Sequence, residues 1–154
     1  MFPTLVSGER LLVNRFVYAR VESGPLEFIG GTDGYVFHGP QRGDIVIFHP
    51  PSDDLTDYVK RVIAIPGDRV DLRQGKVYVN GERVDEPYIS GKFTSSQNQQ
   101  VRFPLDVPEG NYFVLGDNRP VSNDSRSWGF VPADDIVGRA WFGYWPFSSI
   151  RIFG

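Results

Sequence analysis

A chain of 154 residues is the size of one domain and long enough to bury a core without covalent staples. Its 16 Lys and Arg against 19 Asp and Glu leave no basic excess to hold a phosphate backbone, which argues against a nucleic-acid partner, and the absence of cysteine excludes disulfides, thiolate metal sites and a cysteine nucleophile. No apolar run approaches the roughly 18–20 residues that span a bilayer and no signal-peptide pattern opens the chain, so the chain as given is expected to be soluble.

Short period-two segments punctuated by Gly, Pro, Asn and Asp dominate, and capped helical periodicity is hard to find, so the expected class is mainly β. The first strand is expected at Arg10–Arg15, Gly24 to Arg42 reads as a loop, and Asp44–Phe48 as the second strand. His38 and His49 lie in separate loop-like contexts without metal-ligand spacing, which gives little support to a histidine triad and none to a metal site.

The third strand, Tyr58–Ile65, is closed by Pro66-Gly67-Asp68 and holds the most unusual residue of the chain. Alternation sets Tyr58, Lys60, Val62 and Ala64 on one face and Val59, Arg61, Ile63 and Ile65 on the other, so Lys60 shares its side with apolar groups. Burial disfavours an ammonium and lowers its pKa, and a lysine neutral near pH 7 can act as the general base that activates a nucleophile. From the strand alone two alternatives stand: Lys60 is such a base, or it reaches out to water or pairs with a carboxylate such as Asp57. Arg61 reads as structural, because a guanidinium does not give up its proton at any ordinary pH.

Strands follow at Arg69–Leu72, Lys76–Val79 and Arg83–Val84, with Asn80-Gly81 supplying the positive φ angles of a type I′ turn. Ser90 to Gln100 reads as a polar loop. Tyr112–Leu115 is a strand that runs directly into Gly116-Asp117-Asn118-Arg119-Pro120-Val121-Ser122-Asn123-Asp124-Ser125-Arg126-Ser127-Trp128-Gly129. Asp117 and Asp124 alternate there with Arg119 and Arg126, so two salt bridges can lock the loop into one shape, and the Ser122 hydroxyl inside that frame can orient the lone pair of a nearby amine. An ordinary charged surface turn is the alternative. The last strand is expected at Ile136–Tyr144, leading into an aromatic tail from Trp141 to Phe153 whose rings are expected in the core, with lipid headgroups as the alternative contact. With no internal repeat and no linker, residues 1–154 are expected to form a single domain.

Four of these segments, in order, closely resemble the conserved boxes of bacterial type I signal peptidases: Met1-Phe2-Pro3-Thr4-Leu5; Gly43-Asp44-Ile45-Val46-Ile47-Phe48; Tyr58-Val59-Lys60-Arg61 with Pro66-Gly67-Asp68; and Gly116 through Gly129 with Phe130-Val131-Pro132. The resemblance covers essentially the whole chain. It implies a largely antiparallel β fold, shared with the self-cleaving SOS-response repressors, and a membrane-anchored serine endopeptidase that uses a Ser-Lys dyad. Its substrates would be exported preproteins, met at the outer face of the cytoplasmic membrane and cut after small residues, with no metal or cofactor. By that resemblance Lys60 is the general base and Ser122 the serine that hydrogen-bonds it. Asp117, Arg119, Asp124 and Arg126, with Arg61, would hold the site together. Met1, Leu5, Tyr58, Val114 and Leu115 match positions near the pockets for the residues before the cleaved bond, which select short side chains because larger ones clash.

One departure stands out. In the family the nucleophilic serine immediately precedes the methionine matched by Met1, so this chain is expected to lack the nucleophile and the anchor upstream of it, and to be inactive as given. Ser7 is a poor substitute, since acyl transfer does not survive moving the nucleophile by several residues. Two origins fit: a reading frame that begins upstream, which the retained Lys60, Ser122 and Asp-Arg pairs favour, or a degenerate copy without activity. The competing functions are a non-catalytic β module that binds peptides and the cleavage domain of a self-processing repressor, whose DNA-binding module and internal scissile Ala-Gly or Cys-Gly bond are not found in the sequence.

Overall fold

A computed structural model describes residues 1–5, 8–18, 35, 37–50, 56–89, 94, 101–145 and 151–152 of the chain. Two antiparallel sheets are built from them. The larger has the order β1 (Arg10–Asn14), β10 (Ile136–Trp145), β2 (Ile45–Phe48), β3 (Tyr58–Ala64), β8 (Asn111–Leu115) and β9 (Val131–Pro132), with β11 (Arg151–Ile152) also paired to β10. The smaller runs β6 (Glu82–Arg83), β5 (Lys76–Val79), β4 (Arg69–Arg73) and β7 (Leu105–Asp106). The mainly β, largely antiparallel class expected from the sequence is the one observed.

The eight expected strands form with their ends shifted by a residue or two at most, because each carries a legible alternating or apolar pattern. β7, β9 and β11, two residues each, are too short to carry a period and were not anticipated. Asn80 and Gly81 take φ of 53° and 85°, the two positive values a type I′ turn needs, and set Val79 opposite Glu82. The expected loop Ser90 to Gln100 apart from Thr94, most of the loop Gly24 to Arg42, Ser7, and the tail after Trp145 apart from β11 lie outside the described residues.

β2 is apolar throughout because both its faces are covered. Val46 and Phe48 pack with Val62, Tyr112 and Val114, while Ile45 and Ile47 pack with Leu5 and Ala140. Fully burying a side chain such as Phe48 contributes about 1.5–3 kcal/mol. The face assignment for β3 holds only as far as Val62. A register irregularity against β8 between Val62 and Ala64 adds a residue to β3, so Ala64 joins Ile63 in the core beside the small sheet and Ile65 packs on the side of Val62.

The aromatic tail also differs from expectation. Trp141, Tyr144 and Trp145 are exposed by 52%, 38% and 45%, so these rings are not core. β10 pairs with β2 only as far as Arg139, and its second half runs on between β1 and β11, beyond the central strands.

Asp68 joins the two sheets at the Pro66-Gly67-Asp68 turn. Arg42, ahead of β2, donates to both carboxylate oxygens, Asn80 of the small-sheet hairpin donates at 2.9 Å, and the Ile65 amide donates at 2.9 Å. Burial alone would push this carboxyl up, but the hydrogen bonds from Arg42, Ile65 and Asn80 outweigh it and hold it below the usual carboxylate range. Asp68→Asn is therefore expected to cost about 1–3 kcal/mol at pH 7. The wild-type advantage is complete above the unfolded value near pH 4 and disappears as pH falls through the lower folded value. Urea unfolding of both proteins at pH 7 and in acid checks this; a gap that stays constant with pH would refute it.

Candidate active site

Lys60 lies in the middle of β3, opposite Val46 of β2. On the other side β8 pairs with β3 only from Arg61 onward, so among the described residues Tyr58, Val59 and Lys60 have no strand along that edge. A cleft of about 840 Å³ opens there, lined among others by Met1, Leu5, Tyr58, Lys60, Gly116 and Ser122. The lysine stem packs on Gly116, where an added Cβ would stand 3.5 Å from Lys60 Cδ. Its amine sits 5.0 Å from the centre of the Tyr58 ring.

The alternative pairing with Asp57 does not form: Asp57 meets His49 at 2.8 Å, and Lys60 makes no ion pair among the described residues. Burial, followed by the charge of Arg126, pushes the Lys60 amine below its ordinary value against the opposing pull of Asp124 and Asp117. The amino group of Met1 is lowered first by its own burial and then by the charge of Lys60, which brings the start of the chain into the electrostatic field of the same amine.

The loop after β8 is held by two buried carboxylates, though only one of them pairs within the loop. Asp124 binds Arg126 at 2.8 Å and accepts from the Gly116 amide at 3.0 Å, while Arg126 also donates to the Arg119 and Ser122 carbonyls. Asp124 caps a single helical turn, α1 (Ser125–Trp128), which Gly129 ends at φ 91°. That turn is too short to give a helical period, but Asp124 before it and Gly129 after it are legible as caps. The second expected bridge is exchanged. Asp117 takes Arg61, at 3.0 and 2.8 Å, and Arg119 reaches away to Glu86 at 2.5 Å and Thr94 at 2.6 Å. A guanidinium fork from β3, matched to the loop carboxylate, replaces the local pair.

The Asp117 anchor extends to the start of the chain, since the Thr4 hydroxyl donates to it, and Arg61 also donates to the Gly43 carbonyl at 2.8 Å. Tyr88 lies against the Arg61 guanidinium, 4.0 Å from ring centre to carbon. Sequence reasoning missed Glu86, Tyr88 and Thr94, which sit in stretches with no chemical pattern of their own.

Of the residues matched to substrate pockets, Met1, Leu5 and Tyr58 line the cleft. Val114 and Leu115 do not. Both are fully buried, in the cores on opposite faces of β8, because that strand is covered on both sides. Ser122 lies beside Gly116, where an added Cβ would come within 2.1 Å of its hydroxyl, and that hydroxyl is buried with no hydrogen-bond partner among the described residues. The lysine contact expected of Ser122 is thus absent as a hydrogen bond, although the two residues flank the same glycine.

The sequence family described as signal peptidase, peptidase S26, matches residues 1–145. The chain belongs to this signal peptidase family. It is 38% identical to signal peptidase IB of Staphylococcus aureus over 98% of its own length and 76% of that protein, and 42% identical to signal peptidase I of Bacillus caldolyticus over 97% and 76%. A crystal structure of a signal peptidase I from Enterococcus faecalis superposes with a TM-score of 0.58 at 36% identity, covering 66% of this chain and 97% of that one. Signal peptidases I are serine endopeptidases that remove signal peptides, and family membership favours this chemistry over that of a self-cleaving repressor. No helix among the described residues is long and apolar enough to cross a membrane.

Proposed function

We propose that this chain is the catalytic domain of a signal peptidase that cleaves exported preproteins after small residues with a Ser-Lys dyad, Lys60 being the general base. The observation that carries the reading is the placement of Lys60. A half-buried amine, with no ion pair among the described residues, lines one cleft with Met1 and with the glycine that backs Ser122. The nucleophile is assigned to a serine directly preceding Met1, where its hydroxyl would approach that amine. The serine oxygen attacks the scissile carbonyl carbon as its proton passes to Lys60 Nζ. Collapse of the tetrahedral intermediate breaks the C–N bond, and the Lys60 ammonium protonates the departing amine. Lys60 then takes a proton from water as the water oxygen attacks the acyl ester carbon; the ester C–O bond breaks, the Lys60 ammonium returns the proton to the serine oxygen, and the signal peptide leaves as a carboxylic acid that ionises in water. The edge of Tyr58, Val59 and Lys60, unpaired among the described residues, offers backbone groups for an extended peptide to add as a strand. Met1, Leu5 and Tyr58 bound the space left for its side chains.

The membrane is the natural site of this reaction. Trp141, Tyr144 and Trp145 on β10, with Leu12 on β1 and Ile152 on β11, expose large apolar groups on neighbouring strands, and we assign this surface to lipid headgroups and acyl chains.

The test is to prepare the protein with a serine added before Met1 and incubate it with a preprotein carrying alanine at the first and third positions before the cut. Cleavage at that bond is expected. Saturable binding without cleavage would replace this reading with that of a peptide-binding module.

A further inference from the structure

The signal peptidase reading gives the buried carboxylate of Glu86 no role. Glu86 follows β6 of the small sheet, outside every segment that resembles the peptidase boxes, yet its side chain is only 5% exposed and that of its partner Arg119 is 0% exposed. Arg119 passes the contact on. Its Nε donates to the Gly116 carbonyl at 3.1 Å and its Nη1 to the Thr94 hydroxyl at 2.6 Å. Gly116 is the backbone unit on which Ser122 and the Lys60 stem both rest, since a Cβ there would meet Ser122 Oγ at 2.1 Å and Lys60 Cδ at 3.5 Å. Two residues beyond Glu86, Tyr88 donates its hydroxyl to the same carboxylate oxygen at 3.4 Å and lies against Arg61, which holds Asp117. One short segment of the small-sheet side therefore touches both arginines that frame the base.

We propose that Glu86 is a positioning residue for the catalytic amine: through Arg119 it fixes the Gly116 carbonyl, and so the floor on which the Lys60 stem packs and which limits the access of water to its amine. Stability alone does not account for the pair, because apolar groups of similar volume are often as stabilising as a buried ion pair. A fixed carboxylate supplies a direction. Arg119 has three acceptors, Gly116, Thr94 and Glu86, and only together do they determine where its planar group lies. The inference rests on Lys60 being the base.

The sign of one measurement separates positioning from simple electrostatics. Deleting a negative charge favours the neutral form of a nearby amine and would lower the pH at which Lys60 titrates. Loosening Gly116 exposes the amine to more water and raises it. The chain has only three lysines, Lys60, Lys76 and Lys92, so Lys60 can be followed by NMR of the labelled side chain and assigned with a Lys60→Arg sample. In Glu86→Gln the Lys60 titration is expected to move up by about half a pH unit or more. In Thr94→Val it should move the same way by less. In Asp68→Asn, which weakens the fold away from the site, it should not move. A Lys60 titration that is unchanged or lower in Glu86→Gln, or that rises equally in Asp68→Asn, overturns the inference. If Glu86→Gln fails to fold, Thr94→Val decides, an upward move supporting the inference and none overturning it. A wild-type Lys60 that titrates like a free lysine overturns the base assignment and the inference together, whereas a lowered Lys60 indifferent to Glu86 overturns the inference alone.

Discussion

Lys60→Ala and Lys60→Arg, made in a form of the protein with a serine directly before Met1, are each expected to lower preprotein cleavage by about 10³-fold or more. The arginine variant is the sharper test. It keeps the charge and much of the length but cannot shed its proton, so raising the pH should not rescue it. The parent enzyme should gain activity as pH rises through the Lys60 ionisation, which burial has brought below the ordinary lysine value. The same ionisation has the opposite sign in stability. Between the folded value and the higher unfolded one, the unfolded chain binds the extra proton, so stability rises with pH across that window and the full cost of the buried amine is present below it. Lys60→Met should therefore melt at a higher temperature than the parent at pH 7 while being inactive, as measured by thermal unfolding at several pH values. Activity of Lys60→Arg close to that of the parent would end the assignment of this residue as base.

Asp117→Ala should have the largest effect on stability, about 3–5 kcal/mol. Asp117 is fully buried, and its loss leaves the Arg61 guanidinium, in a residue only 9% exposed, without its carboxylate. It also frees Thr4, the link between the loop after β8 and the start of the chain. Replacing both charges with apolar groups, as Arg61→Met with Asp117→Leu, should recover part of that loss, since no uncompensated charge remains, but should not recover the anchor on Thr4. Denaturant unfolding of Arg61→Met, Asp117→Leu and the double variant closes the cycle. A cost below about 1 kcal/mol for Asp117→Ala would mean the pair is not the anchor described here.

Much of the candidate site stood out in the sequence itself. Lys60 stood out because a cation within an apolar period is unusual, and the loop from Gly116 to Gly129 because its charges alternate; the structure brings both to one cleft. The partners of those charges were not legible. Within the loop, Asp117 and Arg119 look like a pair from spacing alone, yet each is bound to a residue more than 30 positions away, Arg61 and Glu86. Neither Val114 nor Leu115 could be told from a pocket residue by sequence, because a strand covered on both faces reads as an unbroken apolar run whichever neighbours cover it.

The division follows from the range of the forces. Strand periods, the Asn80-Gly81 turn, the mainly β class and the isolation of Lys60 among apolar neighbours depend on residues close in the chain, and the sequence by itself determined them. The parity change at the β3 irregularity, the exposure of Trp141, Tyr144 and Trp145, and the exchange of ion pairs around Asp117 depend on which strands lie side by side. Those were decided only by the tertiary structure, because a buried charge takes the partner whose geometry and burial suit it, wherever in the chain that partner lies.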